Sequence, residues 1–166
     1  MTVATLDFEA SSLGSSGYPI EVGLSTVTID GLVSTWSVLI QSHPSWDVGS
    51  GWESKAERVH GISAAALTNG MRPAAVLAHL NMLLVAHGEV WCDGGDYDRF
   101  WFERLCKAAP LVKPTFALRD LSELDMSLDE RTSLVELLST STPEHRAGAD
   151  AERLCRALLE VRRRRL

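Results

Sequence analysis

Hydrophobic and polar positions alternate along the first ten residues. Val3, Thr5, Asp7 and Glu9 fall on one face, and Ala4, Leu6, Phe8 and Ala10 on the other. A period of two over this length predicts a strand across residues 2–10. Gly14, Gly17 and the serines around them mark a loop. A second β-rich run covers Ile20 to Ile29, and Asp30-Gly31 predicts a hairpin turn into a third strand from Val33 to Ile40.

The stretch from Ser42 to Ser54, rich in Ser, Gly, Pro and Trp, predicts an irregular loop. Short helices are expected around Ala56 and from Ser63 to Leu67, and a longer one from Ala74 to Ala86. Glu89 to Cys92 predicts a short strand, followed by a Gly-Gly turn and a helix from about Tyr97 to Ala108. Thr115 to Leu118 predicts the last strand, and residues 128–139 and 148–163 two more helices. Three strands first, then helices alternating with strands, predict an α/β fold: a mixed five-stranded sheet with helices on both faces. At 166 residues and 45% hydrophobic content, residues 1–166 are expected to form one domain.

In three segments a charge replaces the apolar residue that the pattern asks for. Asp7 and Glu9 leave the same face of the first strand, about 6.5 Å apart at their Cα atoms. Asp98 shares a helical stripe with Trp101, Phe102 and Leu105, and Asp150 one with Leu154, Ala157, Leu158 and Val161. Asp96 competes with Asp98, but it sits where a helix cap or first-turn acid belongs, so it takes the capping role. Uncompensated carboxylates are costly in a core. Divalent cations, which take oxygen ligands, offset that cost. His145 lies five residues before Asp150, and an imidazole can take a proton from water near neutral pH. The plain alternative for Asp7 and Glu9 is a solvated strand face.

Composition limits the reading in other ways. No apolar run approaches the roughly 20 residues that span a bilayer, and no basic segment precedes an apolar one at the N-terminus. A cytoplasmic protein without a membrane segment is expected. Cys92, Cys106 and Cys155 are widely spaced and odd in number, which predicts reduced, packed thiols. The net charge of −6 argues mildly against a nucleic-acid partner. It does not exclude one, because carboxylates that hold Mg²⁺ or Mn²⁺ count as negative while the ions go uncounted. Arg162 to Arg165, with Arg153 and Arg156, read equally as a solvated helix end and as a phosphate-binding patch.

Taken in order, these segments resemble the DEDDh branch of the DnaQ-like 3′→5′ exonucleases, which includes RNase T, oligoribonuclease and the polymerase proofreading subunit. Asp7-Phe8-Glu9 matches the first motif, Asp93-Gly94-Gly95-Asp96-Tyr97-Asp98 the second, and His145 to Asp150 the third. Val59-His60-Gly61-Ile62 is a further echo. Asp93 stands where the family commonly has Asn, and Tyr97 where it has Phe. The loop with Trp46 and Trp52 is similar to that of small bacterial exoribonuclease-like members.

The resemblance implies an RNase H-like fold and a site for two divalent metal ions, Mg²⁺ or Mn²⁺. Asp7 would bridge both ions, Glu9 and Asp150 would complete one site, and Asp98 would help hold the other. His145 would be the general base and not a ligand. Two such ions, roughly 3.5–4 Å apart, stabilise the attacking and leaving oxygens of an in-line displacement. The implied partner is the 3′ end of single-stranded RNA or DNA, released as nucleoside 5′-monophosphates. Leu13 is the expected wedge beside the terminal base. His60, Tyr97, Trp46 and Trp52 are candidate base contacts, with hydrophobic cover the competing role for the tryptophans. A homodimer is a weaker expectation. Two other readings stay open: a catalytically inactive nucleic-acid-binding accessory module of the same fold, and a metal hydrolase acting on smaller phosphodiesters.

Overall fold

The computed structural model describes residues 3–28 and 30–164. Thr2, Ile29 and Arg165, which the sequence reading placed in the first strand, the second β run and the arginine run, lie outside the described residues.

The strands are β1 (Ala4–Ala10), β2 (Pro19–Val27), β3 (Val33–Leu39), β4 (Glu89–Cys92) and β5 (Ala117–Asp120). The α-helices are α1 (Ser54–His60), α2 (Pro73–Leu83), α3 (Asp96–Ala108), α4 (Leu128–Ser139) and α5 (Ala147–Arg163). One mixed sheet runs in the order β3-β2-β1-β4-β5. The β1–β2 and β2–β3 pairs are antiparallel; β1–β4 and β4–β5 are parallel. The expected hairpin joins β2 to β3, with Gly31 at φ 76° donating its N–H to Thr28 O.

The alternation of β1 divides the molecule into two layers. Ala4, Leu6, Phe8 and Ala10 enter a core with Val76 and Leu80 of α2 and Trp101 and Leu105 of α3. On the opposite face Thr5 Oγ1 donates to Ala151 O at 2.7 Å, so Asp7 and Glu9 share the face covered by α5. A second apolar cluster, with Leu134 of α4 and Leu154, Leu158 and Val161 of α5, closes that layer. Helices therefore cover both faces, as the pattern predicts.

α5 presses closely on the sheet because two glycines allow it. A β-carbon on Gly23 of β2 would lie 2.0 Å from Ala147 O, and one on Gly148 would lie 2.8 Å from Ser37 Cβ of β3. Gly23 is also the register partner of Asp7. The start of α5 is thus set down beside the acidic end of β1.

Several boundaries differ from the sequence reading. α2 ends at Leu83, and a turn carries the chain through Ala86. β5 begins at Ala117, because the Thr115 N–H is taken by Asn81 Oδ1 and pairing with β4 starts at Glu89. Asp96 does not cap α3. Gly95, at φ 57°, is the N-cap without a side-chain cap bond, and Asp96 is an exposed first-turn acid. The three cysteines are free, with Cys92 and Cys155 buried as expected. No helix among the described residues is long and apolar enough to cross a membrane.

Candidate metal centre

The sheet and two helix starts bring the anomalous acids to one place. Asp7 and Glu9 come from the C-terminal half of β1, Asp98 from the first turn of α3 and Asp150 from the first turn of α5. Asp98 is 3% exposed and accepts a hydrogen bond from Gly94 N–H at 3.0 Å. Gly94 is required there, since a β-carbon would lie 2.5 Å from Asp98 Oδ2. Asp150 accepts the Glu144 N–H at 3.0 Å, which folds the preceding loop back over the helix start.

The ligand atoms sort into two groups. Carboxylate oxygens of Asp7, Asp93 and Asp98 lie within 4.8 Å of one another, and so do those of Glu9 and Asp150 with a ring nitrogen of His145. Asp93, noted from sequence only as standing where the family commonly has Asn, is in the first group. His145, expected to remain off the metal, lies as near to Glu9 and Asp150 as a ligand would.

Burial and neighbouring charges disfavour the ionised forms of Asp7, Glu9 and Asp98. Burial pushes Asp7 well above the ordinary carboxylate range, and the neighbouring Asp98, Glu9, Asp93 and Asp150 push it further. Glu9 is raised to about 8 by burial and then by Asp150 and Glu21, with Arg146 opposing. Asp98 is raised to about 7 by burial, against the pull of the Gly94 N–H. A hard-oxygen donor set of this density fits divalent cations, which favour the ionised carboxylates that burial and mutual repulsion disfavour.

Residue 145 is the one non-glycine with positive φ (54°) among the described residues. That conformation costs a non-glycine residue about 1–2 kcal/mol. It is fixed from both sides. Before it, Glu144 N–H is held by Asp150. After it, Arg146 crosses to Glu21 on β2, donating through Nε at 3.0 Å and Nη2 at 2.6 Å, and Ala147 N–H donates to the same carboxylate at 2.9 Å. Glu21 and Arg146 were not singled out from sequence. The available signal was Glu21 itself, an acid in an apolar run, which proves to be the register partner of Glu9.

A cleft of about 490 Å³ opens beside the second group of ligands, lined among others by Glu9, Leu13, Lys55, Val59, His60 and His145. Leu13 is 67% exposed and lines this cleft. His60 is buried; its Nδ1 accepts the Ile62 N–H at 3.0 Å, which makes Nε2 the protonated nitrogen. Burial holds its pKa below the usual imidazole range, so the ring is neutral. Tyr97 is not brought into this group: it is 52% exposed on α3 and does not line the cleft. The tryptophans serve as cover. Trp46 is buried and stacks on Tyr18 with centroids 5.2 Å apart, and Trp52 donates Nε1–H to Glu57 at 2.8 Å.

No protein-family model matches the sequence, and no curated protein matches it. Solved structures do match. The zinc-bound form of the E. coli ExoI–ssDNA complex superposes with TM-score 0.67 at 13% identity, over 99% of this chain and 41% of that one. A full-length 3′-exonuclease gives TM-score 0.67 at 13% identity, over 98% of this chain and 60% of the other. E. coli Exonuclease I in complex with a dT oligonucleotide gives 0.65 at 14% identity, over 99% and 42%. The fold is RNase H-like. At 13–14% identity the fold is what these proteins share with the chain, which spans 41–60% of their length. The RNase H-like sheet accounts for the position of the acids. Its central strand carries Asp7 and Glu9, and the two helices flanking its C-terminal end carry Asp98 and Asp150.

Proposed function

We propose that this chain is a divalent-metal-dependent 3′→5′ exonuclease of the DEDDh type, which removes nucleoside 5′-monophosphates from single-stranded RNA or DNA. The observation that carries this reading is the convergence of Asp7, Glu9, Asp98 and Asp150 from three elements, with Glu9 raised to about 8 and Asp98 to about 7, by burial first and by acidic neighbours after it. A structural role alone gives no reason to gather one buried and three half-buried carboxylates that repel one another. The solved neighbours bound to single-stranded DNA support the substrate class.

In this reading Asp7, Asp93 and Asp98 would hold one Mg²⁺ or Mn²⁺, and Glu9 and Asp150 would hold the other. Such ions would supply charge neutralisation at the scissile phosphate and a more acidic attacking water. The remaining work belongs to the protein. His145, beside Glu9 and Asp150 and open to solvent, accepts the proton of that water on its imidazole. Leu13 packs against the terminal base, and His60, in the wall of the same cleft, is the candidate base contact beside it. Residues 1–166 act as one exonuclease unit.

The inactive accessory module is the second reading. Its prediction is nucleic-acid binding without hydrolysis. A 3′-labelled single-stranded oligonucleotide incubated with Mn²⁺ separates the two. Label released as mononucleotide supports the exonuclease; retained label on a bound oligonucleotide supports the module; labelled 3′-terminal fragments longer than one nucleotide, or no interaction, contradict both.

A further inference from the structure

Glu21 and Arg146 lie outside the acidic cluster, yet they touch the backbone that carries its histidine. Glu21 is 2% exposed, in the middle of a strand whose neighbours on either side are core residues. A carboxylate at that depth needs ionic and hydrogen-bond partners. Among the described residues, the hydrogen bonds to its side chain come from the two residues after His145: Nε and Nη2 of the Arg146 guanidinium, and the Ala147 N–H at the start of α5.

The geometry of the chain explains what this contact does. Arg146 is extended (φ −137°, ψ 119°) and its side chain is drawn across to β2. His145, one residue earlier, is left-handed at φ 54°. With residue 146 tied to the sheet and Glu144 tied to Asp150, the backbone of residue 145 has little freedom left, and its ring lies beside Glu9 and in the cleft. Two neighbouring strands thus offer two acids in register: Glu9 on β1 faces the histidine, and Glu21 on β2 fixes the histidine's neighbours.

We propose that the Glu21–Arg146 pair is a positioning device for His145: it holds the ring where the attacking water is deprotonated, without touching substrate. The proposal rests on the exonuclease reading for its kinetic consequence and on geometry alone for its structural one. The bidentate fork matters, because a guanidinium occupies both carboxylate oxygens while a lysine amine offers a single point charge.

The test uses the full chain with Arg146→Met, Arg146→Lys and the double variant Glu21→Gln/Arg146→Met. The double variant removes both charges while keeping an acceptor for Ala147 N–H, so it folds even where a lone buried carboxylate would not be tolerated. With Mg²⁺ and a single-stranded oligonucleotide, Arg146→Met and the double variant are expected to lower kcat on the order of 10²-fold with KM nearly unchanged. Arg146→Lys recovers part of the loss. In parallel, the ring signals of His145 are followed by NMR in the absence of substrate, assigned by their loss in His145→Ala. They are expected to move toward the position of a free surface histidine in the variants.

Unchanged kcat and unchanged His145 signals in a folded double variant would overturn the proposal. So would equal falls in kcat, substrate affinity and Tm, which mark a merely structural pair. If the unmodified chain hydrolyses nothing, the exonuclease reading fails, and the NMR signals still decide whether the pair orders His145.

Discussion

The carbonyl oxygen of Ala147 occupies the space where Gly23 would carry a side chain, 2.0 Å from the β-carbon position. Because Gly23 pairs with Asp7, this close approach sets the distance between the acids of β1 and the start of α5, which carries Asp150. Gly23→Ala is therefore expected to push α5 outward. Overpacking of this kind costs about 1–3 kcal/mol. Both Tm and the cleavage rate should fall, with the rate falling further than stability predicts. An alanine variant with unchanged turnover would mean that helix placement does not tune the site.

The second motif offers two acids, and burial separates them. Asp98 is 3% exposed among ligand oxygens, whereas Asp96 is solvent-facing in the first turn of α3. Asp98→Asn, like Asp7→Asn, is expected to lower metal-dependent cleavage by at least about 10²-fold with the fold intact by circular dichroism. Asp96→Asn should stay within about threefold, as a surface substitution does. Reversal of that order in a rate assay would reassign the motif.

His145 stands where it can serve as base or as ligand, and the two roles differ in what its loss does. His145→Ala is expected to cut kcat by about 10²–10⁴-fold, the usual contribution of a general base. Mn²⁺ affinity, measured by calorimetry, should change little. Parallel losses of rate and affinity would make the residue a ligand.

The raised acids make metal-free stability depend on pH. Folded Glu9 keeps its proton to about 8 against 4.5 in the unfolded chain, and folded Asp98 to about 7 against 3.8. Between those limits the folded state binds more protons than the unfolded state, so stability falls as pH rises through this window. Metal-free Tm is expected to drop between about pH 5 and about pH 8.5, by roughly 5 °C or more. Excess Mg²⁺ should remove the drop, and Asp7→Asn should reduce it. A metal-free melting curve that is flat across the window would contradict the electrostatic picture.

Much of the fold and of the acidic site was legible because each acid belongs to a periodic pattern. Asp7 and Glu9 take polar positions of a strand alternation, and Asp98 and Asp150 interrupt stripes of residues that the structure buries, such as Trp101 and Leu154. Such interruptions are local, and local order predicts them. The devices that place the acids depend on contacts far along the chain. Glu21 meets Arg146 across 125 positions, Gly23 meets Ala147, and neither partner predicts the other without the register of β2 on β1. The backbone of His145 is likewise set by its neighbours' long-range bonds. Tyr97 is read as a substrate contact from motif position alone; the first turn of α3 directs Asp98 inward and leaves Tyr97 exposed, outside the lining of the cleft.

The most direct measurement is digestion of matched 5′-labelled single-stranded RNA and DNA oligomers of several lengths with Mn²⁺ present. The account predicts a ladder shortening by one nucleotide at a time from the 3′ end, with nucleoside 5′-monophosphate as the product and no cleavage by Asp7→Asn. Intact oligomers of both kinds under these conditions, with the protein folded and Mn²⁺ bound, would contradict it.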